Sequence, residues 1–154
     1  MTGPDPCVCL AMLVADKVFR EEGTGKSHIA GTFSRLSSRT FPVMHDTMHV
    51  YLALTDISPG THECEVKFAY IDADGADGAD TPEVLSAKSE IKCIDKLQVI
   101  EINYCFRRAV FPRPGRLEIA FYMDGQYVMR RKFALAHAKG RRRADDGPDA
   151  PPPE

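Results

Sequence analysis

Hydrophobic and polar residues alternate along most of this chain, and the period of that alternation is two. From Met48 to Thr55 every second residue is large and apolar, and the residues between are polar, small or amphipathic. Successive side chains of a β-strand point to opposite faces, so this pattern predicts strands with one face on a hydrophobic core. The predicted strands are 8–19, 28–33, 48–55, 63–70, 84–93, 98–106, 116–123 and 127–135.

Each of the clearest strands has a row of residues that we expect to face the core. The predicted core-facing residues are Met48, Val50, Leu52, Leu54, Cys64, Val66, Phe68, Tyr70, Ile100, Ile102, Tyr104, Phe106, Leu117, Ile119, Phe121, Met123, Tyr127, Met129, Phe133 and Leu135.

Turn-forming residues separate the predicted strands. Asp124-Gly125 joins the last two strands and is a dipeptide typical of a type I′ hairpin turn. No segment shows helical periodicity, and about eight short strands between turns are the pattern of an all-β protein. We therefore predict an antiparallel β-sandwich of about eight strands, immunoglobulin-like or C2-like. Residues 8–14 are apolar on both faces and predict a central strand packed on both sides.

Glycines and prolines mark special positions in this pattern. Gly31 lies inside a predicted strand and indicates a bulge or a close approach of two backbones. Pro42, Pro112 and Pro114 lie next to predicted strand ends. Because proline cannot donate a hydrogen bond to a sheet, we expect these prolines to set turns.

The segment Gly23-Thr24-Gly25-Lys26-Ser27 has the composition of a phosphate-binding loop. Such a loop needs a glycine five residues before its Gly-Lys pair, and this chain has Arg20 there. It also needs a helix after it, whereas residues 28–33 alternate as a strand does. We therefore predict that these glycines form a hairpin connection.

The chain has 154 residues, a length that fits one domain with its own core. We place that domain at residues 7–138. From residue 139 onward the composition changes to basic, acidic and proline residues, which offer almost nothing to bury. The tail 139–154 is therefore predicted to be disordered.

The charge and hydropathy of the chain indicate which kinds of partner to expect. The net charge is −2, which lacks the basic bias of a dedicated nucleic-acid-binding protein. Basic residues do gather at 130–132 and 139–143, but the acidic residues of the tail neutralise much of this stripe. The chain begins without a basic signal-peptide region, and no apolar stretch is long enough to span a membrane. We predict a cytoplasmic protein with neither a membrane nor a nucleic-acid partner.

Short motifs also occur in an informative order. They are Ala15-Asp16-Lys17-Val18, Gly23-Thr24-Gly25-Lys26, Ile29-Ala30-Gly31-Thr32-Phe33, Phe41-Pro42, Phe111-Pro112, Pro114-Gly115-Arg116-Leu117 and Asp124-Gly125. Through these motifs the chain resembles, over roughly residues 8 to 136, a family of small, uncharacterised bacterial β-sandwich proteins. The resemblance implies a fold and no reaction or functional residue.

The acidic segment 72–80 is the first candidate site. Carboxylates are hard oxygen ligands that suit calcium. The spacing departs from an EF-hand loop, whose sixth position is glycine where this segment has Asp77. A flexible connection between strands is the structural alternative. A calcium or small-ligand site at 72–83 is therefore one hypothesis, with candidate ligands Asp72, Asp74, Asp77, Asp80 and Glu83.

Cysteines and histidines supply two weaker hypotheses. Zinc held by Cys7 and Cys9 together with Cys64, Cys93 or Cys105 lacks the usual CxxC spacing, so we expect reduced, mostly buried thiols. The five histidines suggest a small hydrolase. His45-Asp46 are only sequence neighbours, however, and no Gly-x-Ser-x-Gly motif occurs. We predict no catalytic residue and no cofactor, and keep a hydrolase with an unidentified site as an alternative.

The pattern as a whole favours a non-enzymatic binding or protein-interaction module. Its partner is expected to be an unidentified protein or a second copy of the chain. Sandwiches often carry their contacts on the loops at their ends. The expected contact surfaces are therefore the connections 20–26, 36–46 and 72–82.

Overall fold

The computed structural model describes residues 6–71 and 83–138, and these ranges contain nine β-strands and no helix. The prediction of an all-β chain is thereby confirmed. Within these ranges no helix has the length and hydropathy needed to cross a bilayer. The strands are β1 (Val8–Arg20), β2 (Ser27–Thr32), β3 (Arg35–Ser38), β4 (Val43–Thr55), β5 (Gly60–Tyr70), β6 (Glu83–Cys93), β7 (Ile100–Phe111), β8 (Gly115–Met123) and β9 (Gln126–His137).

These strands form two sheets. The first sheet has the strand order β2-β1-β4-β7, and the second has the order β3-β9-β8-β5-β6. Neighbouring strands are antiparallel except β3 and β9, which run parallel. The predicted antiparallel arrangement therefore holds for every pair but that one.

The two sheets share one hydrophobic core. Phe68 of β5 packs edge-on against Phe106 of β7, with ring centroids 5.4 Å apart, and so joins the second sheet to the first. Such aromatic pairs add to the stability gained by burial. The predicted core-facing residues of β4, β5 and β8 are all buried: Met48, Val50, Leu52, Leu54, Cys64, Val66, Phe68, Tyr70, Leu117, Ile119, Phe121 and Met123.

Two predicted hairpins are confirmed. Residues 21–26 connect β1 to β2, and Glu21 N donates to Lys26 O at 2.7 Å. Asp124 and Gly125 have φ of 53° and 80°, as a type I′ turn requires. The bulge or close backbone approach predicted at Gly31 is not what the structure shows: Gly31 has φ of +74°, and a Cβ there would lie 3.0 Å from Asp16 Oδ2, a side-chain atom.

The prediction that residues 8–14 are packed on both sides is wrong. Val8 is 46% exposed and Leu10 is 55% exposed. Strand β2 pairs only with the part of β1 from Ala15 to Arg20, so the first half of β1 has β4 as its one neighbour in the described sheet. An apolar run on a strand therefore does not require burial of both faces.

Two further predictions need correction. Part of the expected connection 36–46 is strand, because β3 pairs with β9 and β4 begins at Val43. Tyr127 is 49% exposed, although its strand pattern placed it on the core face. The pairing of β8 with β9 shifts register between Phe121 and Tyr122, and this shift reverses the side to which Tyr127 points.

The end of the β1–β2 hairpin folds across the outer face of the first sheet. Beyond Ala15, β1 leaves β4 and continues paired only with β2 in the described residues. Arg20 and Ser27 both contact Glu101 of β7, a strand that β4 separates from β1. Residues 16–32, which we call the arm, therefore cross over β4 and reach β7.

Candidate functional site

Most of the predicted calcium ligands lie outside the described residues. These are Asp72, Asp74, Asp77 and Asp80, and the rest of the expected contact surface 72–82 lies there with them. Glu83 is the first residue of β6 and is exposed. The calcium hypothesis and the predicted tail 139–154 therefore stay predictions.

The cysteines occupy different environments. Cys7, Cys64 and Cys93 are buried, Cys9 is partly buried and Cys105 is exposed on β7. Burial raises the pKa of Cys64 to about 12, which keeps it a neutral thiol. Within residues 6–71 and 83–138 no group of three potential metal-ligating side chains comes together. The described cysteines therefore give no support to the zinc hypothesis.

His62 lies in an arrangement that resembles a catalytic triad. Its Nδ1 is 2.6 Å from Asp124 Oδ2, and its Nε2 is 3.4 Å from Ser58 Oγ. Nε2 also lies 2.7 Å from the carbonyl oxygen of Ser58, which can only accept a hydrogen bond. The hydrogen bonds to Asp124 and Ser58 raise the pKa of His62, because both favour the protonated ring.

Activation of a serine nucleophile would require an unprotonated Nε2 on His62. A general base takes a proton from serine through an unprotonated Nε2, whereas here Nε2–H donates to a carbonyl. His62 and Asp124 instead tie the start of β5 to the turn between β8 and β9. The other histidines lie at separate places: His28 beside Glu21, His45 beside Asp16, His49 beside Asn103 and His137 stacked on Phe41.

A polar cluster under the arm holds it to the first sheet. Ser27 Oγ donates to Glu101 Oε1 at 2.9 Å, and Arg20 Nη2 lies 3.0 Å from the same oxygen. The Tyr51 hydroxyl donates to the other oxygen of Glu101. Burial and the adjacent Glu101 raise the pKa of Tyr51 to about 12, while the hydrogen bond from Tyr51 lowers the pKa of Glu101. Arg20, which begins the expected contact surface 20–26, is thus used for an internal contact.

Two neighbouring segments at one end of the two sheets carry exposed apolar side chains. Val8 pairs with Thr55 at the end of β4, and Thr55 Oγ1 donates to Gln98 O at 3.1 Å. These contacts place the start of β1 beside the β6–β7 loop, residues 94–99. We use the name "apolar end" for five exposed side chains there: Val8, Leu10, Ile94, Leu97 and Val99.

The loop 94–99 presents its apolar side chains from a fixed backbone. Asp95 accepts from Leu97 N through its side chain at 2.9 Å and from Gln98 N through its carbonyl at 2.8 Å. Gln98 Oε1 in turn accepts from Ile94 N at 3.0 Å. Asp56 N donates to Lys96 O at 3.1 Å, which ties the loop to the β4–β5 connection. Leu97 is nevertheless 85% exposed and Ile94 is 78% exposed.

Sequence reasoning missed this surface because its apolar residues resemble core residues. Residues 98–106 were expected to form one strand, but β7 begins only at Ile100. The available signal was Asp95, since aspartate often starts a turn by accepting a backbone N–H two residues later.

The side chains of the basic residues 130–132 point to opposite faces of β9. Arg130 Nη1 lies 2.9 Å from Glu118 Oε2 and both side chains are on the wet face of the second sheet, as predicted for Arg130. Arg131 points to the other face and reaches the first sheet. The basic residues 139–143 lie outside the described ranges.

The described residues define an all-β protein of two sheets with an exposed apolar end. The chain belongs to a family of unknown function, DUF6941, whose profile matches residues 10–136. The resemblance to an uncharacterised family is thereby confirmed.

One solved structure that is similar is the Pseudomonas fluorescens alkylpurine DNA glycosylase AlkC bound to DNA containing an abasic site analog. The identity is 11% and the TM-score 0.44, and the similarity covers 86% of this chain and 31% of that one. At this level of likeness it carries no argument about function. A comparison with curated proteins found no significant match.

Proposed function

We propose that this protein is a non-enzymatic interaction module of the cytoplasm, and that the apolar end is its contact surface. Its two sheets would form an immunoglobulin-like β-sandwich, and a protein is the expected partner. The observation that carries the proposal is the loop 94–99, which holds Ile94 and Leu97 in solvent on a hydrogen-bonded backbone.

Exposed leucine and isoleucine side chains lose the free energy that burial would give. Burying one such side chain stabilises a protein by about 1.5–3 kcal/mol. Single exposed apolar residues are common, but several together at one place are typical of an interaction site. The five side chains of the apolar end are each at least 46% exposed and lie on two neighbouring segments, which supports an interaction site at this end.

The fixed backbone of the loop favours binding over accidental exposure. Association costs free energy for every loop and side chain that it orders. The bonds that Asp95 and Gln98 make order this loop before any partner arrives. Lys96 and Asp56, 3.5 Å apart and both exposed, provide charged groups at its margin. Apolar centre and polar margin together are the usual composition of a protein interface.

A pair of matched variants tests the proposal. Ile94→Asp with Leu97→Asp puts two charges on the apolar end, and Met44→Asp puts one on an apolar side chain that is 55% exposed on β4. Each protein is purified gently from its host, and the yield of co-purified protein is measured together with self-association by sedimentation velocity.

We expect wild type and Met44→Asp to retain the same stoichiometric companion, and the double variant to lose it while keeping the wild-type melting temperature. A companion retained equally by the double variant would contradict the proposal. A wild-type protein that is monomeric and without a companion would also contradict it.

A further inference from the structure

Strand β9 breaks its own pattern at Arg131. Phe133 and Leu135 on the same face are buried, and Arg131 pairs in register with Ile119, which is also buried. An apolar residue is therefore expected at position 131. The arginine instead reaches the first sheet, where its Nη1 donates to the Met12 carbonyl oxygen at 2.6 Å.

The charge of Arg131 has no counter-ion among the described residues. Its bond to Met12 is to a neutral carbonyl, whereas the neighbouring Arg130 has Glu118. Its Nε is buried and has no hydrogen-bond partner in the described part of the chain. Arg131 as a whole is only partly buried, but an N–H that is cut off from solvent without a partner costs free energy. An anion beside the guanidinium would balance its charge through charge-assisted hydrogen bonds to the N–H groups that solvent reaches.

An open surface cavity of about 200 Å³ is lined in part by Arg131. Its apolar wall is made of Leu13, Val14 and Phe33. The hydroxyl-bearing residues Thr32 and Ser34 line it together with Arg131. The chain passes here from β2 in the first sheet to β3 in the second, so the cavity lies at the point where a strand leaves one sheet for the other.

We propose that this cavity binds a small organic carboxylate. The carboxylate would accept N–H groups of Arg131 that Met12 does not use, and the hydroxyls of Thr32 and Ser34 would donate to it. Charge-assisted hydrogen bonds of this kind are the strong ones, and guanidinium matches carboxylate in shape. The tail of the acid would lie on Leu13, Val14 and Phe33.

The cavity is open to solvent, so its volume sets the scale of a suitable probe and is not a strict limit on the ligand. At roughly 30 Å³ for each small group, as for a water molecule, the volume admits about six non-hydrogen atoms. Butyrate has that size and combines a carboxylate with a short apolar tail. n-Butanol has a similar tail and no charge, so the two probes separate recognition of the carboxylate from occupation of an apolar space.

The test is a titration of uniformly ¹⁵N-labelled full-length protein with sodium butyrate, followed by the Nε–H resonance of Arg131 and the amides of residues 32–34. Sodium chloride at equal ionic strength and n-butanol are the reference titrations. We expect a saturable shift with butyrate alone and a dissociation constant of about 1 mM. Arg131→Met should weaken binding at least about tenfold, which is 1.4 kcal/mol. Arg130→Met on the wet face should bind as wild type does.

Three outcomes would overturn the proposal. They are the absence of a saturable shift with butyrate, an equal shift with n-butanol, and undiminished binding by folded Arg131→Met. If Arg131→Met fails to fold, the comparison of butyrate with n-butanol on the wild type decides the question. The cavity and the apolar end share no residue, so either proposal can fail without the other.

Discussion

At the scale of single residues, the attraction between the charges of His62 and Asp124 holds the turn between β8 and β9 to the start of β5. The hydrogen bonds to Asp124 and Ser58 raise the pKa of His62. Burial raises the pKa of Asp124, but the hydrogen bonds from His62 and Glu63 N outweigh it and lower that pKa. The pair therefore stabilises the fold most while the imidazole is protonated and the carboxylate is ionised.

A pH dependence follows from these two directions. The contribution of His62 is complete below its ordinary pKa of 6.5 and is lost as the pH rises through its raised folded value. The contribution of Asp124 is present above 3.8 and is lost as the pH falls through its lowered folded value. His62→Gln should therefore lower the free energy of unfolding by about 1 kcal/mol between pH 3.8 and pH 6.5, where both groups contribute in full. At pH 9 the loss should be smaller. Urea unfolding at pH 5.5 and pH 9 measures this difference.

The control for that experiment is His137→Gln, because His137 is exposed at the end of β9. It should change stability little at either pH. An effect of His62→Gln that is the same at both pH values would show that packing, and not charge, explains the role of His62.

The cysteines allow a second test at the residue scale. Cys105 is exposed on β7, whereas Cys7, Cys64 and Cys93 are buried. Iodoacetamide should alkylate Cys105 of the native protein first, since buried thiols are inert. Mass spectrometry of digests after brief labelling measures this, with urea-unfolded protein as the control that labels every cysteine. Early labelling of Cys64 would mean that the core opens locally on the time scale of the reaction.

Among the elements, the arm depends on a few polar contacts. Tyr51, Ser27 and Arg20 all bind Glu101, and the strand pairing of residues 16–20 involves only β2 in the described sheet. The arm should therefore be the part of the first sheet that detaches most readily.

Tyr51→Phe tests the contribution of this cluster. The variant keeps the ring and removes the hydroxyl that donates to Glu101. It should lower the free energy of unfolding by about 1–2 kcal/mol. The amides of β2 should exchange faster with deuterium, while those of β5 should not change. Tyr122→Phe, on the outer face of β8 beside Lys67, is the matched control. Unchanged exchange in β2 would show that the hydroxyl does not hold the arm.

Strands with regular alternation could be predicted from the sequence, because burial on one face determines their side-chain order. Met48 to Leu54 on β4 are an example. β3 could not be predicted, because this strand, residues 35–38, is short and mostly polar. It also pairs with β9, which is distant in the sequence. Tyr127 was placed on the wrong face because a register shift leaves no mark in local periodicity. Long-range pairing decided both cases.

The candidate sites were harder to predict for a related reason. Ile94 and Leu97 have the side chains of core residues, and only the structure shows them in solvent. Arg131 does depart from the alternation of its strand, and that departure was visible in the sequence. The residues that surround Arg131 and line its cavity belong largely to β1 and β2, which lie about a hundred residues earlier in the chain. The sequence near position 131 therefore does not show that the arginine lacks a counter-ion.

At the scale of the whole molecule, two hypotheses make opposite predictions about calcium. If the acidic residues of 72–83 bind it, calcium at about a hundred times its dissociation constant should stabilise the fold by about 2.7 kcal/mol. EDTA should reverse that effect. An interaction module without a metal site should show the same melting temperature in calcium and in EDTA. Differential scanning calorimetry distinguishes the two, and Asp74→Asn with Asp77→Asn is the control variant.

The apolar end is the feature on which the proposed function depends, and photo-crosslinking tests it most directly. Leu97 is replaced by p-benzoylphenylalanine in one protein and Met44 in another, and both are irradiated in the host cells. Both side chains are exposed, but only Leu97 belongs to the apolar end. We predict one dominant protein adduct from position 97 and none from position 44. No adduct from position 97, or the same adducts from both positions, would contradict it.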